Sequence, residues 1–335
     1  MVKSKKAPEY SGAFLLLTIF QYQISNKLYI FIKLEKLNFM TDKTNSKTRR
    51  SFIQQLSLLT LFAGSSMASL AETEIKKRNF KIGACDWSLG KDCDSGAFEI
   101  AKNIGLDGIM VSMGSESNNL RLRETSVQQE YLHYAKTTGV EISSIALGVF
   151  NSVPYKSDPR TEQWLWDSID VARNLSAPLV LLAFFNNNDL RNDAKGKQEV
   201  IRRLKKVAPH AEKNGVILGI ESYLNADEQI EIIDQVGSKN VKIYYDFCNV
   251  TDAGFDTVKE FKKLGKDRIC ELHMKENGFL LGEGVNNWKA IGEAVQETNY
   301  IGNGWMQIEG AIPKGGDTVK SYQQNLQFLK SIFLK

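Results

Sequence analysis

The sequence predicts a closed (β/α)8 barrel of the α/β class. Three observations predict it. Apolar, β-branched runs recur from Lys81 onward at a period of about 30 residues, the length of one strand–helix unit. Each run is followed by an amphipathic segment of helical length, the alternation expected of a parallel sheet. Eight such units fit into the chain, the number that closes a barrel.

The strand runs are 81–87, 107–113, 141–147, 178–185, 216–221, 241–247, 268–274 and 304–309. Among the helices, Gly196–Lys213 carries Val200, Leu204, Val207 and Ala211 on one stripe, and Asp317–Ile332 is another. Gly139, Gly215 and Gly265 stand where helices end. An open doubly wound sheet would require a glycine-rich phosphate loop after an early strand. The turn after the first strand reads Ser88-Leu89-Gly90-Lys91 and lacks that fingerprint.

The 335 residues are 42% hydrophobic, ample for one large core. The net charge of +4 is unevenly spread. Residues 1–71 hold 10 Lys/Arg against 3 Asp/Glu, which leaves 33 basic and 36 acidic residues beyond them. A mildly acidic body offers no electrostatic footprint for nucleic acid. Four cysteines, Cys85, Cys93, Cys248 and Cys270, are too few for a disulfide framework. Cys85 and Cys93 are near enough in sequence to bridge, but free thiols are the preferred reading.

The front of the chain reads as an address. Thr48-Arg49-Arg50-Ser51-Phe52-Ile53 is similar to a twin-arginine export motif. The apolar stretch Leu56 to Ala63 follows, and Ser69-Leu70-Ala71 suits cleavage. Residues 40–71 are therefore read as a signal peptide, 72–79 as a linker and 80–335 as the barrel. Ahead of them, the interrupted apolar stretch Phe14–Phe20 is either a poor transmembrane helix or, preferably, part of an extension before a true start at Met40. This organisation predicts an exported, periplasmic protein with no stable membrane anchor after cleavage. It is compatible with a homo-oligomer.

Active sites of such barrels lie at the C-terminal strand ends. Strand five ends Gly219-Ile220-Glu221-Ser222, and strand six ends Tyr244-Tyr245-Asp246-Phe247. Strand seven ends Leu272-His273-Met274-Lys275, and strand eight ends Gln307-Ile308-Glu309-Gly310. Alternation along each strand turns Glu221, Asp246, His273 and Glu309 to the barrel axis. Leu218, Ile220, Ile243, Tyr245, Leu272, Met274, Met306 and Ile308 turn to the helices. Singly, such acids are usually helix caps or ion-pair partners. Four consecutive strands behaving alike point to a shared divalent ion. Three carboxylates and one imidazole suit Mn²⁺ or Mg²⁺, with Co²⁺ or Zn²⁺ also compatible.

These motifs resemble the xylose isomerase-like superfamily of sugar isomerases and epimerases over residues 80–333. The resemblance rests on Ile220-Glu221-Ser222, Tyr245-Asp246-Phe247-Cys248-Asn249, Leu272-His273-Met274-Lys275-Glu276, Ile308-Glu309-Gly310 and the turn Gly282-Glu283-Gly284. It implies a metal-dependent enzyme acting on a small sugar, with Mn²⁺ preferred. Glu221 and Glu309 would both hold the ion and exchange a proton with the carbon beside a carbonyl. Returning the proton to the other face of that carbon epimerises it, and returning it to the neighbouring carbon isomerises the sugar. A lyase or dehydratase on a keto-sugar, of the inosose or dehydroshikimate dehydratase kind or cleaving a 3-keto-glycoside, would use the same four residues.

The departures from the family are informative. Asn249 stands three positions after Asp246, where epimerases often have His, and Asn shuttles no protons at neutral pH. Asp227 stands six positions after Glu221, where some epimerases have Glu, and is expected to bind substrate. The only histidines are His133, His210 and His273, and the first two are expected on helix surfaces. That scarcity excludes the classical xylose isomerase site and the trinuclear zinc endonuclease site. Trp87 and Phe184 or Phe185, with Phe185 preferred, are expected to line the pocket. Lys275 is in phase with His273 and is expected to meet substrate or to pair with Glu276 or Glu283. Asn186, Asn187 and Asn188 offer amides to hydroxyl groups. With no phosphate cradle in the sequence, a free sugar or sugar acid is preferred over a sugar phosphate.

Overall fold

The computed structural model describes residues 80–333 and, ahead of them, two short strands. Ile19–Ile24 pairs antiparallel with Lys27–Ile32, so the apolar stretch that begins at Phe14 runs into a strand at Ile19. The export motif, residues 40–71 and the linker 72–79 lie outside the described residues. Among the described residues, no helix is long and apolar enough to cross a membrane.

The barrel strands are β1 (Lys81–Cys85), β2 (Gly108–Ser112), β3 (Glu141–Leu147), β4 (Leu179–Phe184), β5 (Ile217–Ser222), β6 (Val241–Asp246), β7 (Ile269–Lys275) and β8 (Trp305–Glu309). They are all parallel, neighbour follows neighbour, and β8 closes on β1. No strand boundary departs from the sequence reading by more than two residues. The helices are α1 (Ala97–Ile104), α2 (Thr125–Thr138), α3 (Arg160–Asn174), α4 (Ala194–Asn214), α5 (Ala226–Val236), α6 (Phe247–Asp252), α7 (Thr257–Leu264), α8 (Trp288–Glu297) and α9 (Thr318–Phe333). Two helices, α6 and α7, follow β6, so this unit departs from strict alternation. The reason is local: Asp246, the last residue of β6, caps α6 directly.

The strand alternation divides the core into two. Leu218, Ile220, Ile243, Tyr245, Leu272, Met274, Met306 and Ile308 are buried in the outer core with Val200, Leu204, Val207 and Ala211 of α4. Cys85, Met110, Ala146, Leu181 and Tyr244 pack in a smaller inner cluster. All four cysteines are buried free thiols.

Two details of the sheet position the site. The pairing of β6 with β7 slips by one residue between Ile243 and Tyr244, which sets Asp246 level with His273. Such irregularities re-aim side chains at barrel rims. Gly219 lies one pleat below Glu221, and a Cβ there would stand 2.9 Å from the Cys270 sulfur and 3.3 Å from Tyr244. The glycine therefore makes room for the Tyr244 ring beneath the strand ends.

Candidate functional site

The last turns of β5 to β8 bring Glu221, Asp246, His273 and Glu309 into one cluster. One donor atom from each lies within 4.8 Å of all the others. His273 Nδ1 is 2.8 Å from Glu221 Oε1, 3.6 Å from Glu309 Oε2 and 3.9 Å from Asp246 Oδ2. Tilted Tyr244 packs against the imidazole, with ring centroids 4.5 Å apart.

Asp246 divides its two oxygens between two tasks. Oδ1 accepts the backbone N–H groups of Cys248 and Asn249 at 2.7 and 2.9 Å, so it caps α6. Oδ2 is buried, faces the cluster and has no hydrogen-bond partner. A buried carboxylate oxygen without a donor is costly. Burial, opposed by Lys275 and reinforced by Glu221, pushes the Asp246 pKa up to about 7. A cation among these four donors removes both penalties at once. The donor set is hard and oxygen-rich and fits a divalent ion such as Mn²⁺ or Mg²⁺. Cys85, His273 and Glu309 form a second geometric grouping. There, burial pushes the thiol up to about 12, and the grouping supplies three donors against four in the first.

The two glutamates are held differently. Glu309 receives Trp87 Nε1–H at 3.0 Å and Lys275 Nζ at 2.9 Å. Burial works against its charge, yet Lys275 and His273 overcome it and hold its pKa down to about 2. Glu221 receives the Asn249 amide at 3.1 Å in addition to His273. Asn249 is thus an orienting donor beside a glutamate, a task its chemistry allows.

A cavity of about 500 Å³ opens above this cluster. Glu221, Glu309, Asn249, Lys275 and Trp87 line one side, and Phe185 and Tyr223 line the wall beside β4 and β5. Phe185 and Tyr223 meet edge to face at 4.8 Å, and Arg191 stacks behind Tyr223 at 4.5 Å. Of the two candidate phenylalanines, Phe184 is fully buried in the outer core and only Phe185 reaches the cavity. Of the three consecutive asparagines, only Asn186 lines it. Asn187 donates to Ser152 O and buried Asn188 to Ala183 O, so both are loop braces.

One expectation is corrected. Asp227 does not reach the cavity. It lies in the first turn of α5, its side chain is 73% exposed, and its carboxylate pairs with Lys263 at 2.6 Å. By Asp227 the chain has become a helix, and an acid in a first helical turn complements the helix dipole instead. The suggested partners of Lys275 also change. Glu276 turns away and accepts from Val285 N–H, Asn286 N–H and Trp288 Nε1–H, which ties down the following loop. A Cβ on Gly284 would run into that same carboxylate, which explains a glycine in the Gly-Glu-Gly turn. His133 is exposed, and His210 stacks on Trp166 beside Asp170, away from the site.

Tyr223 was missed, although the signal existed. It is two residues beyond Glu221, so the same alternation carried one step past the strand would have found it. Ser115, Asn151 and Ser152 also line the cavity. They come from loops with no period to follow.

A family model described as the xylose isomerase-like TIM barrel matches residues 98–332. A D-psicose 3-epimerase of Enterocloster bolteae is 31% identical over 142 residues, 40% of this chain and 45% of that protein. The chain thus aligns with less than half the length of that relative. A 2-epi-5-epi-valiolone 7-phosphate 2-epimerase of an Actinoplanes species is 22% identical over 197 residues, 58% of this chain and 72% of that protein. Among solved structures, the D-psicose 3-epimerase of Clostridium cellulolyticum H10 with D-tagatose superposes with a TM-score of 0.64 at 19% identity, covering 76% of this chain and 99% of that one. This last likeness concerns the fold.

Proposed function

Since the chain belongs to the xylose isomerase-like TIM barrel family, we propose that it is a divalent-metal-dependent epimerase of a small keto-sugar or sugar derivative. The observation that carries this reading is the pairing of two cavity-lining carboxylates, Glu221 and Glu309, within a four-donor cluster whose Asp246 Oδ2 has no hydrogen-bond partner among the described residues. The names of the sequence relatives, both sugar or cyclitol epimerases, support it.

Glu221, Asp246, His273 and Glu309 would hold the ion, with Mn²⁺ preferred. When bound, it supplies Lewis-acid stabilisation of the negative charge that develops on the substrate oxygens. The protein's own groups do the rest. One of Glu221 and Glu309 takes the proton from the carbon beside the carbonyl. The other returns a proton to the opposite face, and the centre is inverted. The reverse reaction exchanges the two roles. Trp87 and Lys275 fix Glu309, and Asn249 fixes Glu221, so neither carboxylate must reorganise as charge develops.

The test is incubation of Mn²⁺-loaded protein with a panel of ketoses in D₂O. Deuterium incorporated beside the carbonyl, with inversion, supports the reading. No exchange with any keto-sugar overturns it. Exchange accompanied by an enone absorption band or a released aglycone would reassign the site to a lyase. We also propose export through the twin-arginine-like segment Thr48–Ile53 to the periplasm. Periplasmic recovery that is lost on Arg49→Lys/Arg50→Lys supports this, and cytoplasmic retention of the unaltered chain opposes it.

A further inference from the structure

The cavity is larger than the reaction requires. At about 500 Å³ it lies within the range that encloses ligands of drug size. A single hexose ring, placed over Glu221 and Glu309, is smaller than a drug-sized ligand and leaves part of such a space open. The remainder lies across the mouth, against the loops that follow β2, β3 and β4. Its surface is neutral and rich in hydrogen-bonding groups: Ser115, Asn151, Ser152 and Asn186, with Phe185 and Tyr223 as an aromatic flank. Asn151 Oδ1 accepts Phe185 N–H at 3.1 Å, and its amide N–H groups make no hydrogen bond among the described residues. Asn186 is exposed and its side chain makes no hydrogen bond among the described residues. Aromatic faces beside neutral amides and hydroxyls are the chemistry that recognises a sugar ring.

The charges of the site argue in the same direction. Lys275 is the only cation lining the cavity among the described residues, and it is engaged with Glu309 at 2.9 Å and Asp246 at 3.8 Å. Its one positive charge and the two of a divalent ion balance the carboxylates of Glu221, Asp246 and Glu309, and Asp92 adds a further carboxylate to the lining. No positive charge is left for a phosphate or carboxylate on the substrate, and such groups usually demand one.

We propose that the cavity takes a neutral two-ring carbohydrate, a keto-glycoside, with its keto ring over Glu221 and Glu309 and its second ring against the loop wall of Ser115, Asn151, Ser152 and Asn186. This rests on the epimerase reading for the keto ring alone. The chemical step is unchanged: one C–H bond breaks, one forms on the opposite face, and the glycosidic bond stays intact.

The test has two arms, both on the full Mn²⁺-loaded chain. In the first, deuterium exchange is compared for a 3-keto-disaccharide, D-fructose and fructose 6-phosphate. The expected kcat/KM is at least about tenfold higher for the disaccharide, and Ser115→Trp, which fills the far wall, lowers that ratio. Equal or better exchange with fructose or its phosphate overturns the two-ring assignment and leaves the epimerase reading standing. In the second arm, calorimetry measures binding of unreactive cellobiose, glucose and glucose 6-phosphate. Tighter binding of cellobiose, weakened by Asn186→Ala, supports the second subsite even where no exchange occurs, an outcome that would fail the epimerase reading alone. Equal affinities, or preference for the phosphate, overturn the inference.

Discussion

Two layers of side chains, one pleat apart on the same four strands, make opposite uses of buried acid. The upper layer is Glu221, Asp246, His273 and Glu309. The lower is Gly219, Tyr244, Glu271 and Gln307. Below, one carboxylate is surrounded by neutral donors: Glu271 Oε1 accepts from the Tyr244 hydroxyl at 2.8 Å and the Ser144 hydroxyl at 3.1 Å, and Oε2 accepts from the Asn303 amide. Above, three carboxylates crowd one imidazole, and Asp246 Oδ2 accepts no hydrogen bond among the described residues. Both layers are buried by the same barrel. Burial alone therefore does not mark a functional acid. Glu271 in the lower layer is satisfied by donors of the protein itself, whereas Asp246 Oδ2 in the upper layer has no hydrogen-bond partner among the described residues.

Substitutions can break this contrast. The largest effect is expected from Glu221→Gln or Glu309→Gln, each lowering the rate of substrate exchange by about 10³-fold while the chain stays folded, as circular dichroism would verify. Next come the donors that fix those carboxylates. Trp87→Phe and Asn249→Ala are each expected to cost about 10- to 100-fold in activity or Mn²⁺ affinity, readable by steady-state kinetics and metal titration. In the lower layer, Glu271→Ala should act on stability. It strands the Tyr244, Ser144 and Asn303 donors and opens a cavity, a loss of about 3 kcal/mol by urea unfolding, with Mn²⁺ still bound. The smallest effect belongs to Asp227→Ala. It removes an exposed ion pair and should change stability by no more than about 0.5 kcal/mol and turnover not at all.

The same contrast shows what the sequence carried. Alternation along the last turn of each strand was enough to bring Glu221, Asp246, His273 and Glu309 to one point, because a pleat leaves no other choice of face. It also turned Glu271, Tyr244 and Gln307 inward. It could not say that Glu271 would be satisfied, since its donors Ser144 and Asn303 come from elsewhere in the chain. Asp227 was expected at the site only by resemblance to epimerases that have Glu there, and in the folded chain it lies in the first turn of α5, paired with Lys263. Tyr223 was overlooked although the alternation still held one step past the strand. Among loop residues such as Asn151 and Ser115 no period exists, and only the folded chain shows which of them face the cavity.

The most direct test of the account is a calorimetric titration of chelator-stripped protein with Mn²⁺, run in parallel on Asp246→Ala and Glu271→Gln. One ion per chain is expected, lost in Asp246→Ala and retained in Glu271→Gln. Absence of saturable binding, or binding that survives Asp246→Ala unchanged, would contradict it.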